Sequence, residues 1–291
     1  MTGRRSESGG SEGGGFWRCG AVCFDLHAPL IMGIVNTTPD SFSDGGSYAS
    51  ADDAVRRGLL FADEGAAIVD VGGESTRPGA AVVSAEEEKK RILPVIERLA
   101  ARGIVVSADT QKPEVMRAAL AAGASVINDI GGMGDEKSRA IAADSDCGVI
   151  IMHMRGSPQT MQTMTGYEDV AAQVGGFLRR RARMLVDDGI DKARLCADPG
   201  IGFGKTPAQN WRMLRELPAM IGEGLPILIG ASRKSLFAEI EPDAKKRDGI
   251  SAVLATLLYA RRAANIFRVH NVAATKAALA VASVLECEDG N

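Results

Sequence analysis

From residue 30 onward the chain repeats one pattern eight times: an apolar run of strand length, one or two polar residues where that run stops, then a helical pattern. The predicted strands are residues 31–35, 67–71, 104–108, 125–127, 149–152, 194–197, 226–229 and 265–267. The first is also the most informative. It stops at Asn36 and passes into Thr37-Thr38-Pro39-Asp40-Ser41-Phe42-Ser43-Asp44-Gly45-Gly46, where Phe42 is the only large apolar side chain. A rigid element thus delivers a polar group at its tip.

The strands are rich in Val and Ile without strict alternation, as expected of a parallel sheet buried on both faces. Eight such units in roughly 260 residues match a (β/α)8 TIM barrel in number and length. In that fold the carboxyl ends of all strands meet on one rim. Asn36, Thr76, Asp109, Asn128, Asp198, Lys234, Arg268 and His270 would then face one pocket. A doubly wound sheet would instead divide them between the two edges of a crevice. The βα alternation never breaks, so one domain is expected over residues 16–291, with residues 16–26 as a short hairpin closing the barrel bottom. Residues 1–15 are Gly, Ser and charged residues with little to bury, the composition of a disordered leader.

A net charge of −3 leaves no electrostatic footprint for nucleic acid or an anionic membrane, so any phosphate must be held locally. The longest nearly apolar run, residues 250–260, is too short for the roughly 20 residues needed to cross a bilayer. Arg4 and Arg5 have no apolar stretch behind them, so no signal peptide is expected. Five cysteines, with no Cys-x-x-Cys pair and an odd total, argue against a disulfide framework and fit a reducing cytoplasm. Gly204-Lys205-Thr206 looks like the end of a phosphate-binding loop, but its first glycine would have to stand where Pro199 does. Motifs for dinucleotide binding, serine hydrolysis and zinc proteolysis are missing as well.

The strand tips carry the remaining chemistry. Asp109, Asn128 and Asp198 can pair with the N–H edge of a flat, nitrogen-rich heterocycle, because an ionised carboxylate is acceptor-only and takes two parallel donors. Arg233, Lys234, Arg268 and His270 concentrate positive charge after the last two strands, where such barrels commonly hold phosphate. Asn36 is a neutral oxygen ligand suited to Mg2+, which keeps waters and borrows substrate oxygens. His27 and His153 have no neighbour suggesting a metal pair and read as structural.

Five segments together resemble dihydropteroate synthase, the folate-pathway enzyme that sulfonamides inhibit. They are residues 32–46, Gly72-Gly73-Glu74-Ser75-Thr76-Arg77-Pro78-Gly79-Ala80, Asp198-Pro199-Gly200-Ile201-Gly202-Phe203-Gly204-Lys205, Ser232-Arg233-Lys234-Ser235 and Arg268-Val269-His270. The resemblance implies a TIM-barrel homodimer that condenses 6-hydroxymethyl-7,8-dihydropterin diphosphate with 4-aminobenzoate, by an SN1-like reaction. It implies pterin contacts at Asp109, Asn128, Asp198 and Lys234, and diphosphate contacts at Asn36, Thr76, Arg268 and His270, with Asn36 also on Mg2+. For 4-aminobenzoate it implies Phe42, Arg77, Pro78, Phe203 and Ser235. One departure stands out: Asn271 occupies a position where the family commonly has Asp. Two other readings share the pterin-facing tips, a pterin-binding methyltransferase domain and a catalytically silent paralogue. The first needs neither a diphosphate site nor the Ser-Arg-Lys-Ser segment.

Overall fold

The structure is a computed structural model that describes residues 15–38, 47–76, 79–222 and 224–286. The expected leader lies outside these residues except for Gly15, whose carbonyl accepts from Leu26 N–H at 2.8 Å.

An antiparallel hairpin of β1 (Phe16–Cys19) and β2 (Val22–Asp25) comes first. Eight parallel strands follow: β3 (Leu30–Asn36), β4 (Ile68–Gly72), β5 (Val106–Asp109), β6 (Val126–Asp129), β7 (Gly148–Met152), β8 (Leu195–Asp198), β9 (Leu228–Ile229) and β10 (Ile266–Val269). They are hydrogen-bonded in the order β8-β7-β6-β5-β4-β3-β10-β9. A parallel bridge between Ala197 and Ile227, with Ala197 N–H donating to Pro226 O at 2.9 Å, brings the two ends of that order together. The result is a (β/α)8 barrel. Its helices are α1 (Ser47–Glu64), α2 (Ala85–Ala100), α3 (Pro113–Ala121), α4 (Glu136–Ala143), α5 (Val170–Asp187), α6 (Pro207–Ile221), α7 (Asp248–Ala260) and α8 (Val272–Glu286).

Local chemistry sets the helix starts. Ser84 Oγ caps α2 by accepting from Glu87 N–H at 3.2 Å, while the Glu87 carboxylate turns to Arg91 and not back to the Ser84 backbone, half of a capping box. The complete box is at α6, where Thr206 and Gln209 cap each other. Pro113 opens α3, where its missing N–H costs nothing.

Two apolar layers share the strands by alternation. Val69, Val71, Ile127, Ile151, Leu195 and Phe267 pack outward on helix residues such as Ile92, Leu99, Leu178 and Leu217. Met32, Ile68, Val126, Ile150, Cys196, Leu228 and Ile266 pack inward, against Trp17 and Phe24 of the hairpin. Trp17 Nε1 donates to Arg194 O at 2.9 Å, which fastens the hairpin as a plug in the bottom of the barrel. Two residues beyond that inward layer stand Asp70, Asn128, Asp198 and Arg268. Period two therefore aims them into the same interior, one level higher.

Candidate active site

Asp70 is fully buried in the middle of β4. Arg268 Nε donates to Asp70 Oδ2 at 2.6 Å and its Nη2 to Asp109 Oδ2 at 2.6 Å, so one guanidinium bridges two strands' carboxylates. Asn128 Nδ2 stands 3.3 Å from Asp70 Oδ2. Burial works against charge on Arg268, but Asp70 and Asp109 more than offset it and hold the group protonated. Burial also pushes the Asp109 carboxyl up to about 7 against the pull of Arg268, with Asp70 and Glu88 adding to the rise.

Asp198 closes β8. Gly200 N–H donates to its Oδ1 at 2.7 Å, while burial raises its carboxyl above the usual range and Lys234 opposes that rise. Lys234 itself is lowered to about 8 by burial, with Asp198 pulling the other way. Its Nζ donates to Ile201 O and lies 4.2 Å from the centroid of the Phe203 ring. Phe203 joins Ile130, Met152 and Met161 in an apolar cluster on this side of the rim. Acceptors, cations and an apolar wall thus surround the same interior space.

Lys205, the residue that mimicked a phosphate loop, is buried and donates to three backbone carbonyls, those of His153, Gly200 and Phe203, at 3.2, 3.0 and 2.9 Å. It ties the loop after β7 to the loop after β8. His153 is buried edge-on to Phe177 and lowered to about 3 by burial and by Lys205, so it is a neutral packing residue.

Nearer the opening, His270 Nδ1 lies 3.0 Å from Ser232 Oγ, which also accepts from His270 N–H at 3.2 Å. Asn36 ends β3 beside Gly72. Its side chain has no hydrogen-bond partner among the described residues. Ser235 is exposed at the start of a short 3-10 turn. Thr76 is half-buried in the loop after β4. Phe42, Arg77 and Pro78 lie outside the described residues. Arg233 is drawn away from the cationic cluster, because its Nε and Nη2 both meet Asp248 at 2.7 Å.

A family model described as pterin binding enzyme matches residues 32–270. The dihydropteroate synthase of Escherichia coli K12 is 43% identical over 258 residues, covering 88% of this chain and 92% of its own. The chain belongs to the dihydropteroate synthase family, whose members are transferases. A Xanthomonas albilineans dihydropteroate synthase solved with 4-aminobenzoic acid is 44% identical and superposes with a TM-score of 0.87, covering 94% of this chain and 99% of that one. The Burkholderia cenocepacia dihydropteroate synthase complexed with 7,8-dihydropteroate is 40% identical, with a TM-score of 0.85 over 94% of this chain and 98% of that one.

Against the motifs of dihydropteroate synthase, sequence reasoning missed Asp70. The available signal was a single carboxylate inside the otherwise apolar run Ala67-Ile68-Val69-Asp70-Val71. Asn271, the departure, has a structural explanation. Its Oδ1 caps α8 by accepting from Ala274 N–H at 3.0 Å, and its side chain also bonds Asp248. An amide caps as well as a carboxylate does, and it avoids setting a second negative charge beside Asp248.

Proposed function

We propose that the chain condenses 6-hydroxymethyl-7,8-dihydropterin diphosphate with 4-aminobenzoate to give 7,8-dihydropteroate and diphosphate. The observation that carries this reading is the set of Asp109 with the buried Asn128 and Asp198 inside the barrel mouth, closed below by an apolar plug and flanked by Lys234 and Arg268. Such a set matches the donor edge of one flat ring. Asp109 and Asp198 accept its N–H groups, Asn128 and Lys234 complete its polar perimeter, and Phe203 borders the opening through which the second substrate arrives.

The methylene carbon then loses diphosphate, and the C–O bonding pair leaves with it. Arg268, through donors not used by Asp70 and Asp109, together with His270 and Thr76, stabilises the departing charge. Buried carboxylates near the ring favour the cation left behind. The lone pair of the neutral aniline nitrogen forms the new C–N bond, and that nitrogen then sheds a proton. No covalent enzyme intermediate is required. Phe42, Arg77, Pro78, Phe203 and Ser235 border the aminobenzoate and keep water from the cation.

Among the described residues no cluster of His, Cys, Asp or Glu could hold a metal ion. The donor present is the uncommitted amide of Asn36, which fits a hard cation that keeps waters and takes substrate phosphate oxygens. Asn36 would hold Mg2+ there, and the ion would supply charge neutralisation to the leaving diphosphate.

Exposed apolar side chains on α7 and α8, which pack on each other, support a homodimer formed through that face. No helix of the described residues is long and apolar enough to cross a membrane. The free thiols Cys19, Cys147 and Cys196 are buried and suit a reducing cytoplasm.

Purified protein given Mg2+, the pterin diphosphate and 4-aminobenzoate should release diphosphate; silence at saturating substrate would reject the reading. Asp198→Ala should weaken pterin binding by about tenfold or more, the loss of a charge-assisted pair, whereas Phe42→Ala should chiefly raise KM for 4-aminobenzoate. The reverse pattern would overturn the division of roles.

A further inference from the structure

The loop after β8, residues 199–205, has a backbone with few steric limits of its own. Gly200, Gly202 and Gly204 all stand in the left-handed region, with φ of +68°, +82° and +64°. One buried cation gathers this segment. Lys205, 5% exposed, directs its Nζ at Gly200 O, Phe203 O and His153 O, at 3.0, 2.9 and 3.2 Å, which uses all three donors of an ammonium. It forms no ion pair among the described residues. Three carbonyl dipoles therefore stand where water would otherwise solvate the charge. Burial lowers this amine to about 7, and Asp198, acting at longer range, pulls the other way.

Two of these carbonyls belong to the residues that hold Asp198. Gly200 N–H donates to Asp198 Oδ1 at 2.7 Å, and His153 N–H donates to Asp198 O at 3.0 Å. The third belongs to Phe203, whose ring centroid lies 4.2 Å from Lys234 Nζ. One ammonium thus bonds the peptide groups that fix an acceptor, a backbone position and an apolar wall of the same site. Its own root is anchored. Lys205 O accepts from Asn210 Nδ2 at 3.3 Å, Asn210 Oδ1 accepts from Gly202 N–H at 2.9 Å, and the next residue, Thr206, caps α6.

We propose that Lys205 is a positioning residue for the ring site, an internal cation that gathers His153, Gly200 and Phe203 so that Asp198 and the Phe203 ring meet the pterin. Its three carbonyls form a cradle that takes a small alkylammonium once the side chain is cut back. This role rests on the synthase reading above, in which Asp198 binds the ring. Without a cation the three oxygens converge on one point with nothing between them. Their repulsion then parts the loops after β7 and β8, and Gly200 N–H leaves Asp198 Oδ1.

Lys205→Met and Lys205→Ala test this at about pH 6.5, where the ammonium form prevails, with the Kd of 6-hydroxymethyl-7,8-dihydropterin, a ring without diphosphate, as the readout. Methionine keeps an apolar stem and removes the cation, so it separates charge from packing. The ring's Kd should rise about tenfold in that variant, the scale of a misplaced binding group. Alanine removes the atoms of propylammonium. Added propylammonium should bring the alanine variant's Kd back to within about threefold of the unaltered chain. Tetramethylammonium at equal ionic strength has no N–H to donate and should leave that Kd where it was. The unaltered chain, its cradle already filled, should respond to neither. Lost packing alone would not answer to an amine in this way. The methionine variant carries the test should the alanine variant fail to fold. A methionine variant that binds the ring as tightly as the unaltered chain, or a folded alanine variant that propylammonium does not restore, would overturn the inference alone. An unaltered chain that does not bind the ring would overturn the synthase reading and this inference with it.

Discussion

Asp109 sits between two demands. Burial makes its carboxyl hold a proton up to about 7, yet a ring that offers only N–H donors at that edge requires the ionised form. The unfolded chain releases that proton near 3.8, so between roughly pH 4 and 7 the folded state binds more protons and this residue's contribution to stability falls as pH rises. Ligand binding runs the opposite way. Pterin capture at about pH 6 should expel a proton from Asp109, and affinity should climb with pH until about 7. Calorimetry in two buffers of different ionisation enthalpy measures the released proton directly. Asp109→Asn should bind more weakly and lose the slope over that window. Equal heats in both buffers for the unaltered chain would sink this account. Sequence reading identified Asp109 because it ends an apolar run. Asp70 stayed hidden because it lies within one, and only the Arg268 guanidinium, 198 residues away in sequence, explains a carboxylate there.

At the scale of elements, eight strands and their order of polar tips were legible, because apolar runs of three to five residues between turn signals leave few alternatives. Their ends were less so. Sequence reading stops each strand at its last apolar residue, whereas Asn36, Asp109, Asn128, Asp129, Asp198, Arg268 and Val269 belong to the ladder itself. Polar residues pair there because the barrel interior, not solvent, receives their side chains, a fact that no local window contains. The turn after β8 is tight. Gly200 has φ +68°, and a Cβ on it would fall 2.0 Å from His153 O, against which Lys205 also donates. Gly200→Ala should therefore force apart the loops after β7 and β8 at a cost of about 2–4 kcal/mol, combining left-handed strain with overpacking. Because Gly200 N–H also holds Asp198, pterin affinity should fall with stability. Denaturant melts and a pterin titration check both, and a variant as stable as the parent would show that the two loops are not locked together.

Among the described residues, two apolar surfaces are not explained by a barrel alone. One is the lower mouth, which the β1–β2 hairpin covers from within the same chain through Trp17 and Phe24. The other is left bare. Val253 and Leu257 lie one turn apart on α7, and Val281, Val284 and Leu285 share a side of α8, with exposures from 56% to 80%. The two helices are mutual neighbours, so these side chains make one patch and not scattered exceptions. A patch of this kind on the side of the barrel leaves the substrate opening free, and a self-complementary face paired about a two-fold axis closes without fibre growth. Stable pairing of this type buries about 1,200–2,000 Å2 in total, an area two helices from each copy can supply. Placing a charge at its centre should break it: Leu257→Asp or Val281→Asp leaves a carboxylate facing apolar carbon and its own symmetry mate. Light scattering should report a parent of twice the chain mass and a variant of one chain mass, with the pterin Kd within about twofold because the ring contacts lie inside a single barrel. A parent already at one chain mass across the micromolar range would refute the homodimer. A variant that stays paired would move the interface elsewhere.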